Sequence, residues 1–297
     1  MILDWGVDII LWLQKGSPSL DMPFIALTFL GNEGFFIVLM PLIYWCFDRR
    51  TGVGLAILFL LSVYFNEAAK VIAAQPRPFT YDARVMQIIS AGGGGFPSGH
   101  TQQAVVVWGY LAYRLRTTWA WILAGILMAL IPLSRVYLGV HFPTDLVGGY
   151  LIGGIWLMLY VRFESSLETV IVRQNLIGQL CWALILPILL VLIFPNCSKN
   201  GLTAMGAFMG MGVGFAFERR WIAFTAGGVW WTRVLRVVVG VAIVVVLRFG
   251  LGKTFSGFDA PAFFRFVRYA VIGFWAGFGA PWVFCKIKIA AAGYRKG

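Results

Sequence analysis

The sequence predicts an all-α protein, a polytopic bundle of about nine transmembrane helices. Of its 297 residues, 60% are hydrophobic and 12% are charged, about half the charged fraction of a typical soluble domain. The mean hydropathy is +0.83. Apolar stretches near the length of about 20 residues that crosses a bilayer recur along the whole chain. A transmembrane barrel would instead show short segments of alternating hydrophobicity.

Nine apolar segments are the predicted spans, at 24–46, 52–73, 98–117, 118–139, 142–162, 175–195, 201–217, 229–249 and 264–285. The segment at 201–217 is rich in Gly and Ala. Because small residues let helices approach closely in lipid, this segment should pack inside the bundle. Residues 1–22 carry apolar residues at helical spacing and two early acidic residues, Asp4 and Asp8. They predict a short interfacial helix and not a cleavable signal peptide.

The net charge of +12 is interpreted as membrane topology, and no nucleic-acid partner is predicted. Alternating the nine spans places more than half of the 24 Lys and Arg residues in one set of loops. The positive-inside rule assigns that set to the cytoplasm. The N-terminus is then outside, the C-terminus is inside, and the run Gly92–Gly95 lies on the extracytoplasmic face.

Three clusters of polar residues lie at predicted helix ends. They are Lys70, Arg77 and Pro78 after the second span, Pro97, Ser98, Gly99 and His100 before the third, and Ser134, Arg135, His141 and Asp145 between the fourth and fifth. By alternation of the spans, all three clusters lie at the same face of the membrane. Residues that are far apart in sequence are therefore expected to converge on one site.

The cations of this set call for an anionic ligand. Lys70, Arg77 and Arg135 would be costly to bury alone, and the clusters contain a single carboxylate. The fork of an arginine side chain matches the oxygens of a phosphoryl group. Ser98 and the backbone amides that follow it, where Gly99 permits close approach, would add donors at a helix N-terminus. The set therefore predicts a phosphate site.

Two histidines supply the reactive groups. His141 and Asp145 are four residues apart, so on a helix they face the same way. A carboxylate on one imidazole nitrogen leaves the other free as a nucleophile. His100, from another helix, could protonate a leaving alkoxide as a general acid. No cluster of Asp, Glu and His suits Mg²⁺ or Zn²⁺, so the predicted chemistry uses no metal and no cofactor.

The string K-x6-RP … PSGH … SR-x5-H-x3-D is similar to the signature of the type 2 phosphatidic acid phosphatase (PAP2) superfamily, with every fixed position present. The resemblance implies a PAP2-type helical core. It also implies His141 as the nucleophile that forms a phosphohistidine, Asp145 as its orienting group, and His100 as acid and base. The residues that it assigns to phosphate binding are Lys70, Arg77, Ser98, Gly99 and Arg135, with Pro78, Pro97 and Ser134 in support.

A finer resemblance points to the sphingosine-1-phosphate phosphatases. The stretches FLGNEGFFIVLMPLIYW and RYAVIGFWAGFGAPWVF resemble that branch, although PSGH departs from its usual PSTH. The predicted organisation has an N-terminal interfacial segment at 1–22, a catalytic transmembrane core at 23–165, and a C-terminal transmembrane extension of about four helices at 166–297.

Three further polar residues lie in or near the predicted spans. Glu67 precedes Lys70 by three residues, so we expect the two side chains to pair on one helix. Asn32 and Glu33 lie within the first span. Intramembrane polar residues are candidates for function, but the sequence GNEG also fits a break between a short helix and the span. Both interpretations are retained for this pair.

Together these features predict an integral-membrane lipid phosphate phosphatase. Its active site would face the periplasm in a bacterium or the lumen of the endoplasmic reticulum in a eukaryote. The candidate substrates are sphingoid-base phosphate, phosphatidate, phosphatidylglycerol phosphate and polyprenyl phosphate or pyrophosphate. A transferase with another acceptor, a lipid-phosphate transporter and vanadate-dependent haloperoxidase chemistry are the alternatives. The sequence does not indicate an oligomeric state.

Overall fold

The computed structural model describes residues 2–194 and 198–293. Within these residues the regular structure is helical, apart from one isolated bridge between Phe224 and Ala292. The all-α prediction is confirmed. The helices are α1 Ile2–Gln14, α2 Asp21–Phe29, α3 Glu33–Cys46, α4 Arg49–Ala73, α5 Pro78–Tyr81, α6 Gly99–Leu115, α7 Thr118–Tyr137, α8 Pro143–Arg173, α9 Leu176–Ile193, α10 Lys199–Trp221, α11 Trp230–Phe255, α12 Pro261–Phe274 and α13 Ala280–Lys286, with a π-helical turn, Trp275–Gly279, between the last two.

Five helical stretches of the described chain are long and apolar enough to cross a membrane, and a bent pair can supply a sixth span. The five are Arg49–Tyr81, Thr118–Tyr137, Pro143–Arg173, Leu176–Ile193 and Trp230–Phe255. The pair consists of α2 and most of α3, which meet at an angle of 42°. All nine predicted segments coincide with helices, but the count of nine spans stays a prediction.

The chain divides into two compact units, which are described separately. The first consists of Met1–Phe36 and Phe65–Arg162, and the second of Ile37–Tyr64 and Phe163–Gly297. Every predicted site residue belongs to the first unit. The boundaries predicted at 22/23 and 165/166 separate parts of the chain by function, whereas these two units are separated by packing, so those boundaries stay a prediction.

In the first unit, helix α8 packs closely against the start of α6 through two glycines. A Cβ atom at Gly149 would lie 2.8 Å from the carbonyl oxygen of Ser98, and one at Gly153 would lie 3.0 Å from that of Gln102. Helix α1 also belongs to this core, where Val7 and Ile10 are buried in one hydrophobic cluster. These contacts hold the N-terminal end of α6 beside the first turns of α8.

The described part of the second unit is packed through small residues and a buried cation. Side chains at Gly206 and Gly210 of α10 would collide with the carbonyl oxygens of Phe266 and Ala270 in α12. The prediction that the segment 201–217 packs inside the bundle is therefore confirmed. Because a glycine surface lets backbones approach within van der Waals contact, it replaces interdigitating side chains at this interface.

That buried cation is Arg236 in α11, with 1% of its surface exposed. Its guanidinium donates hydrogen bonds of 2.8–2.9 Å to the backbone carbonyls of Trp45, Ala226, Gly227 and Ile289. These acceptors come from separate parts of the chain. The side chain therefore joins the end of α3, the loop before α11 and the segment after α13.

Candidate active site

His141 lies in the short turn between α7 and α8. The backbone N–H groups of Val140 and His141 donate to the carbonyl oxygen of Arg135, at 3.2 and 3.3 Å. Gly139 has φ 73°, a left-handed conformation that glycine adopts without strain. A side chain there would collide with the carbonyl oxygen of Met86. The turn therefore depends on this glycine, and it presents His141 to the interior of the first unit.

His141 and Asp145 form a buried pair. Nδ1 of His141 lies 3.1 Å from Oδ2 of Asp145, and the two side chains are 2% and 0% exposed. The same carboxylate oxygen accepts a hydrogen bond of 2.9 Å from the backbone N–H of Phe142. The other oxygen, Oδ1, accepts one of 2.6 Å from Nε2 of Gln75. Both oxygens of Asp145 therefore have donors, and the carboxylate has a fixed orientation.

Arg77 lies between His141 and the glycine run. Its Nη1 group donates to the carbonyl oxygen of Val140 at 2.8 Å and lies 3.4 Å from Nε2 of His141. Its Nε and Nη2 groups donate to the carbonyls of Gly93 and Gly92, at 3.1 and 2.7 Å. A guanidinium has no acceptor, so the neutral imidazole carries its proton on Nδ1. The lone pair of Nε2 then points toward the cation.

Lys70 pairs with Glu67 at 2.8 Å on the last turns of α4, and the predicted pair is confirmed. Lys70 also approaches the start of α6, since a Cβ atom at Gly99 would lie 3.5 Å from its Nζ atom. The same Cβ would lie 3.0 Å from Oδ1 of Asn66. With Gly at the third position of PSGH, the backbone of α6 is open to Lys70.

Ser98 is the N-cap residue of α6. Its hydroxyl oxygen accepts from the N–H and the hydroxyl of Thr101, at 3.4 and 2.9 Å, and its own N–H donates to the carbonyl oxygen of Asp145 at 3.0 Å. Because the hydroxyl oxygen already acts as an acceptor, only its proton is left for a ligand. Two predicted supporting residues flank the helix starts: Pro97 precedes Ser98, and Pro78 is the first residue of α5. Both are buried.

Arg135 is held from α2. It is 5% exposed, and its Nη1 group donates a hydrogen bond of 2.7 Å to Oγ1 of Thr28. Its Nε–H is buried without an acceptor. Ser134, predicted to support the site, is buried and its hydroxyl donates to the carbonyl of Ile131 at 2.6 Å. A buried donor without an acceptor costs free energy, so an anion at Arg135 would satisfy a group that the protein leaves unpaired.

His100 contacts the turn between α2 and α3. Its Nε2 atom lies 2.7 Å from Oδ1 of Asn32. Helix α2 ends at Phe29 and α3 begins at Glu33, so the predicted break in the first span is confirmed. The hydrogen bond to His100 places Asn32 beside a proposed catalytic group as well. The side chain of Glu33 lies outside the part of the structure that is described.

Three cations surround the two histidines. The charges of Lys70, Arg77 and Arg135 act on both His100 and His141, so the predicted clusters converge. Burial, followed by these cations, lowers the pKa of His141 well below the usual range for histidine. His141 lies outside the membrane-spanning stretches. It is therefore neutral at physiological pH, the form in which a ring nitrogen has a free lone pair.

Sequence reasoning missed two residues that hold this arrangement. Gln75 lies at a variable position of the K-x6-RP string. The only feature of the sequence that could have indicated a role for it is its polarity at the end of a span, between two alanines and a proline. Thr28 lies in an apolar stretch and had no signal, because its partner Arg135 is 107 residues away. Among the described residues, no group of three or more His, Cys, Asp or Glu could hold a metal ion.

A buried His–Asp pair lies among three cations at the helix ends of an apolar bundle, so the fold and the site together define a helical membrane protein with a buried polar site. The chain belongs to the PAP2 superfamily. The PAP2 superfamily profile matches residues 51–168, and the profile for the PAP2 superfamily phosphatase, transmembrane extension, matches residues 202–292. The family resemblance in the sequence motifs is confirmed, and the protein is a multi-pass membrane protein.

Several named proteins are similar to this chain. Lipid phosphate phosphatase delta of Arabidopsis thaliana is 28% identical over 64% of the chain and 49% of its own length. Undecaprenyl-diphosphatase of Sulfolobus acidocaldarius is 34% identical over 40% of the chain and 57% of its own length. Sphingosine-1-phosphate phosphatase 1 of Rattus norvegicus is 24% identical over 89% of the chain and 71% of its own length. The chain thus spans about half the length of the first two.

Proposed function

We propose that the protein is an integral-membrane lipid phosphate phosphatase that hydrolyses a phosphomonoester through a phosphohistidine intermediate on His141. The observation that carries this proposal is the buried pair of His141 and Asp145, with Arg77 on the opposite ring nitrogen. That arrangement keeps the proton on Nδ1 and directs the Nε2 lone pair toward a cation that a phosphoryl oxygen would contact. A site for binding alone would not need an oriented, neutral imidazole.

In this proposal the cations and the N-terminal end of α6 bind the phosphate. Arg135 offers its unpaired Nε–H, and Arg77 and Lys70 lie beside the two histidines. The proton of the Ser98 hydroxyl and the amides at Gly99 add donors at the N-terminus of a 17-residue helix, where anions are stabilised. These groups would bind the phosphoryl oxygens and stabilise the charge of the transition state.

In the first step, the Nε2 lone pair of His141 attacks phosphorus. A P–N bond forms, the ester P–O bond breaks, and its electron pair leaves on the lipid alkoxide. The charge of the bound phosphate offsets that of the cations, so His100 enters this step protonated. It gives its proton to the leaving oxygen, and the lipid alcohol is released. Asp145 stabilises the positive charge of the phosphorylated imidazole, because it accepts the Nδ1–H throughout.

In the second step, neutral His100 takes a proton from water. The water oxygen bonds to phosphorus, and the P–N electron pair returns to Nε2 of His141. Inorganic phosphate leaves, and both histidines regain their starting protonation states. The reaction is balanced with water as the only co-reactant, and no step uses a metal or a cofactor.

The substrate class is a lipid with a terminal phosphate. The named relatives act on lipid phosphate, undecaprenyl diphosphate and sphingosine 1-phosphate, so sphingoid-base phosphate, phosphatidate and polyprenyl (pyro)phosphate are the substrates to test. The apolar part would enter sideways between helices, with the site on the extracytoplasmic face. In this proposal residues 23–165 form the catalytic core and 166–297 the extension.

The decisive experiment measures phosphate release from this panel of lipids by purified protein in EDTA, beside His141→Ala. A parallel reaction with ³²P-labelled substrate is quenched in alkali, where phosphohistidine survives and phosphoserine-type esters do not. We expect release in EDTA, a labelled protein, and loss of both in His141→Ala. Equal release from the variant contradicts the proposal. Label that passes to an added alcohol in place of water indicates a transferase, and lipid movement without release indicates a transporter.

A further inference from the structure

The turn between α2 and α3 contacts the candidate active site from outside the matched catalytic domain. The PAP2 profile begins at residue 51, whereas this turn lies at residues 30–32. Leu30 packs in the hydrophobic cluster formed around Ala104 of α6 and Ile131 of α7. The apolar contact holds the turn against both helices that carry site residues, so its polar groups have a fixed place.

Two residues of the turn lie along one edge of the His100 ring. Oδ1 of Asn32 lies 2.7 Å from Nε2. A Cβ atom on Gly31 would lie 2.9 Å from Cδ2, which is the carbon next to Nε2 in the ring. A larger residue at position 31 would therefore push against the imidazole. Since the turn covers the Cδ2–Nε2 edge, the opposite edge, with Nδ1, faces away from it.

We propose that Asn32 is a positioning residue for His100, and that Nδ1 of His100 is the atom that exchanges protons with the leaving group and with water. This inference rests on the proposed function. The amide oxygen of Asn32 accepts the Nε2–H in both states of the ring. In the protonated state Nδ1–H is then the proton to be donated, and in the neutral state Nδ1 holds the lone pair that takes a proton from water.

The same oxygen therefore serves both halves of the reaction. Without it, a neutral imidazole exchanges freely between two tautomers, and the ring can rotate away from the leaving oxygen. The effect should be largest where the leaving group needs a proton, as an alkoxide does, and smallest where it does not, as with a nitrophenolate. General acid catalysis contributes typically 100-fold or more, as an order of magnitude.

Thr28 provides a matched comparison on the same segment. Its hydroxyl accepts a hydrogen bond from Arg135, whereas the hydrogen bond of His100 is to Asn32. Since Arg135 is proposed to bind the phosphoryl oxygens, its contribution to the rate should not depend on the leaving group. The two residues are therefore expected to give different kinetic patterns, although they lie only four positions apart and both touch the site from the N-terminal segment.

The test measures the first turnover with two substrates of equal chain length, a long-chain alkyl phosphate and an alkyl-substituted nitrophenyl phosphate. We expect Asn32→Ala to slow release of the alkyl alcohol about 100-fold and release of the nitrophenol less than about 3-fold. Thr28→Val should slow both to the same extent. Asn200→Ala, at an exposed position of α10, is the control substitution and should change neither.

A second variant tests the same idea through pH. Asn32→Asp keeps an acceptor oxygen and adds a negative charge, which stabilises a protonated imidazole at this distance. The basic limb of the kcat/KM profile should then move to higher pH, whereas Asn200→Asp should leave it in place. This variant keeps the size and the hydrogen bond of the native residue, so it remains informative if Asn32→Ala does not fold.

The outcomes separate this inference from the proposed function. If the unmodified protein forms no phosphohistidine, the proposed function fails. If it does, but Asn32→Ala slows both substrates equally and Asn32→Asp leaves the pH profile unchanged, then Asn32 only supports the fold and the inference is wrong. A leaving-group dependence in Thr28→Val as large as in Asn32→Ala would also contradict it.

Discussion

Gln75 donates a hydrogen bond of 2.6 Å from Nε2 to Oδ1 of Asp145, the carboxylate oxygen that His141 does not contact. Gln75 follows the end of α4, whereas Asp145 lies in the first turn of α8, 70 positions later. This hydrogen bond fixes the rotation of the carboxylate about the Cβ–Cγ bond of Asp145. His141 is thus oriented by Asp145, and Asp145 in turn is oriented by a glutamine from a different motif.

Gln75→Leu removes that donor and leaves a buried carboxylate oxygen unpaired. A hydrogen bond to a charged group contributes about 1.5–3 kcal/mol, so we expect kcat/KM to fall about 10- to 100-fold. The measurement is phosphate release under subsaturating substrate. Gln174→Leu, an exposed glutamine after α8, is the control, and an equal loss there would point to a general defect of the protein in detergent.

Asp145→Asn tests the orientation of the nucleophile. An amide is nearly the same size, but it cannot stabilise the positive charge of a phosphorylated imidazole. Its NH₂ group would also donate to Nδ1, which favours the tautomer with the proton on Nε2 and removes the lone pair of the nucleophile. Replacing the aspartate of a buried Asp–His pair in this way costs orders of magnitude in rate. We expect formation of the labelled protein to slow at least about 100-fold. Unchanged labelling would show that Asp145 does not orient His141.

The pH dependence of labelling tests the electrostatics of His141. Its pKa is lowered by burial and then by the cations, so the neutral nucleophile persists as pH falls below the usual histidine range and is lost only at the lowered value. Lys70→Met removes one of those charges, and the acidic limb should move to higher pH. The same substrate is used for both proteins, so its own ionisation cancels in the comparison. No movement of the limb would contradict the role of this charge.

Arg236 is predicted to be essential for the stability of the second unit. Arg236→Met leaves four backbone carbonyls without their donor, and each buried unsatisfied group costs about 1–3 kcal/mol. We expect the free energy of unfolding to fall by roughly 3 kcal/mol or more, seen as a lower Tm in detergent. Arg248→Met, at an exposed position of α11, should leave Tm nearly unchanged.

The topology prediction is checked with single cysteines in a cysteine-free background. Arg84 is 66% exposed in the loop after α5, on the same side as the candidate site, and Arg173 is exposed at the end of α8. We expect Arg84→Cys to react with a membrane-impermeant maleimide in intact cells, and Arg173→Cys to react only after permeabilisation. The reverse pattern would place the site on the cytoplasmic face.

Much of the candidate site could be predicted from sequence because its chemistry is local. Glu67 and Lys70 pair on α4, as helix periodicity predicts. His141 and Asp145 also pair, but His141 lies in the turn before α8 and not on the helix that carries Asp145, so helix periodicity is not the reason for their contact. The break at GNEG was one of two interpretations, and the turn there also carries a hydrogen bond to His100. The sequence alone does not distinguish a helix break from a functional polar residue here, because the hydrogen bond joins positions 32 and 100 across the fold.

By itself, the sequence determined an all-helical membrane protein of the PAP2 superfamily, because composition, helical periodicity and motif spacing are properties of short segments. Only the tertiary structure decided which groups orient the site: Gln75 on Asp145, Thr28 on Arg135 and Asn32 on His100. Each of these is a hydrogen bond between residues more than 65 positions apart. Such a bond exists only when packing brings its two segments within about 3 Å, and no local pattern encodes that approach.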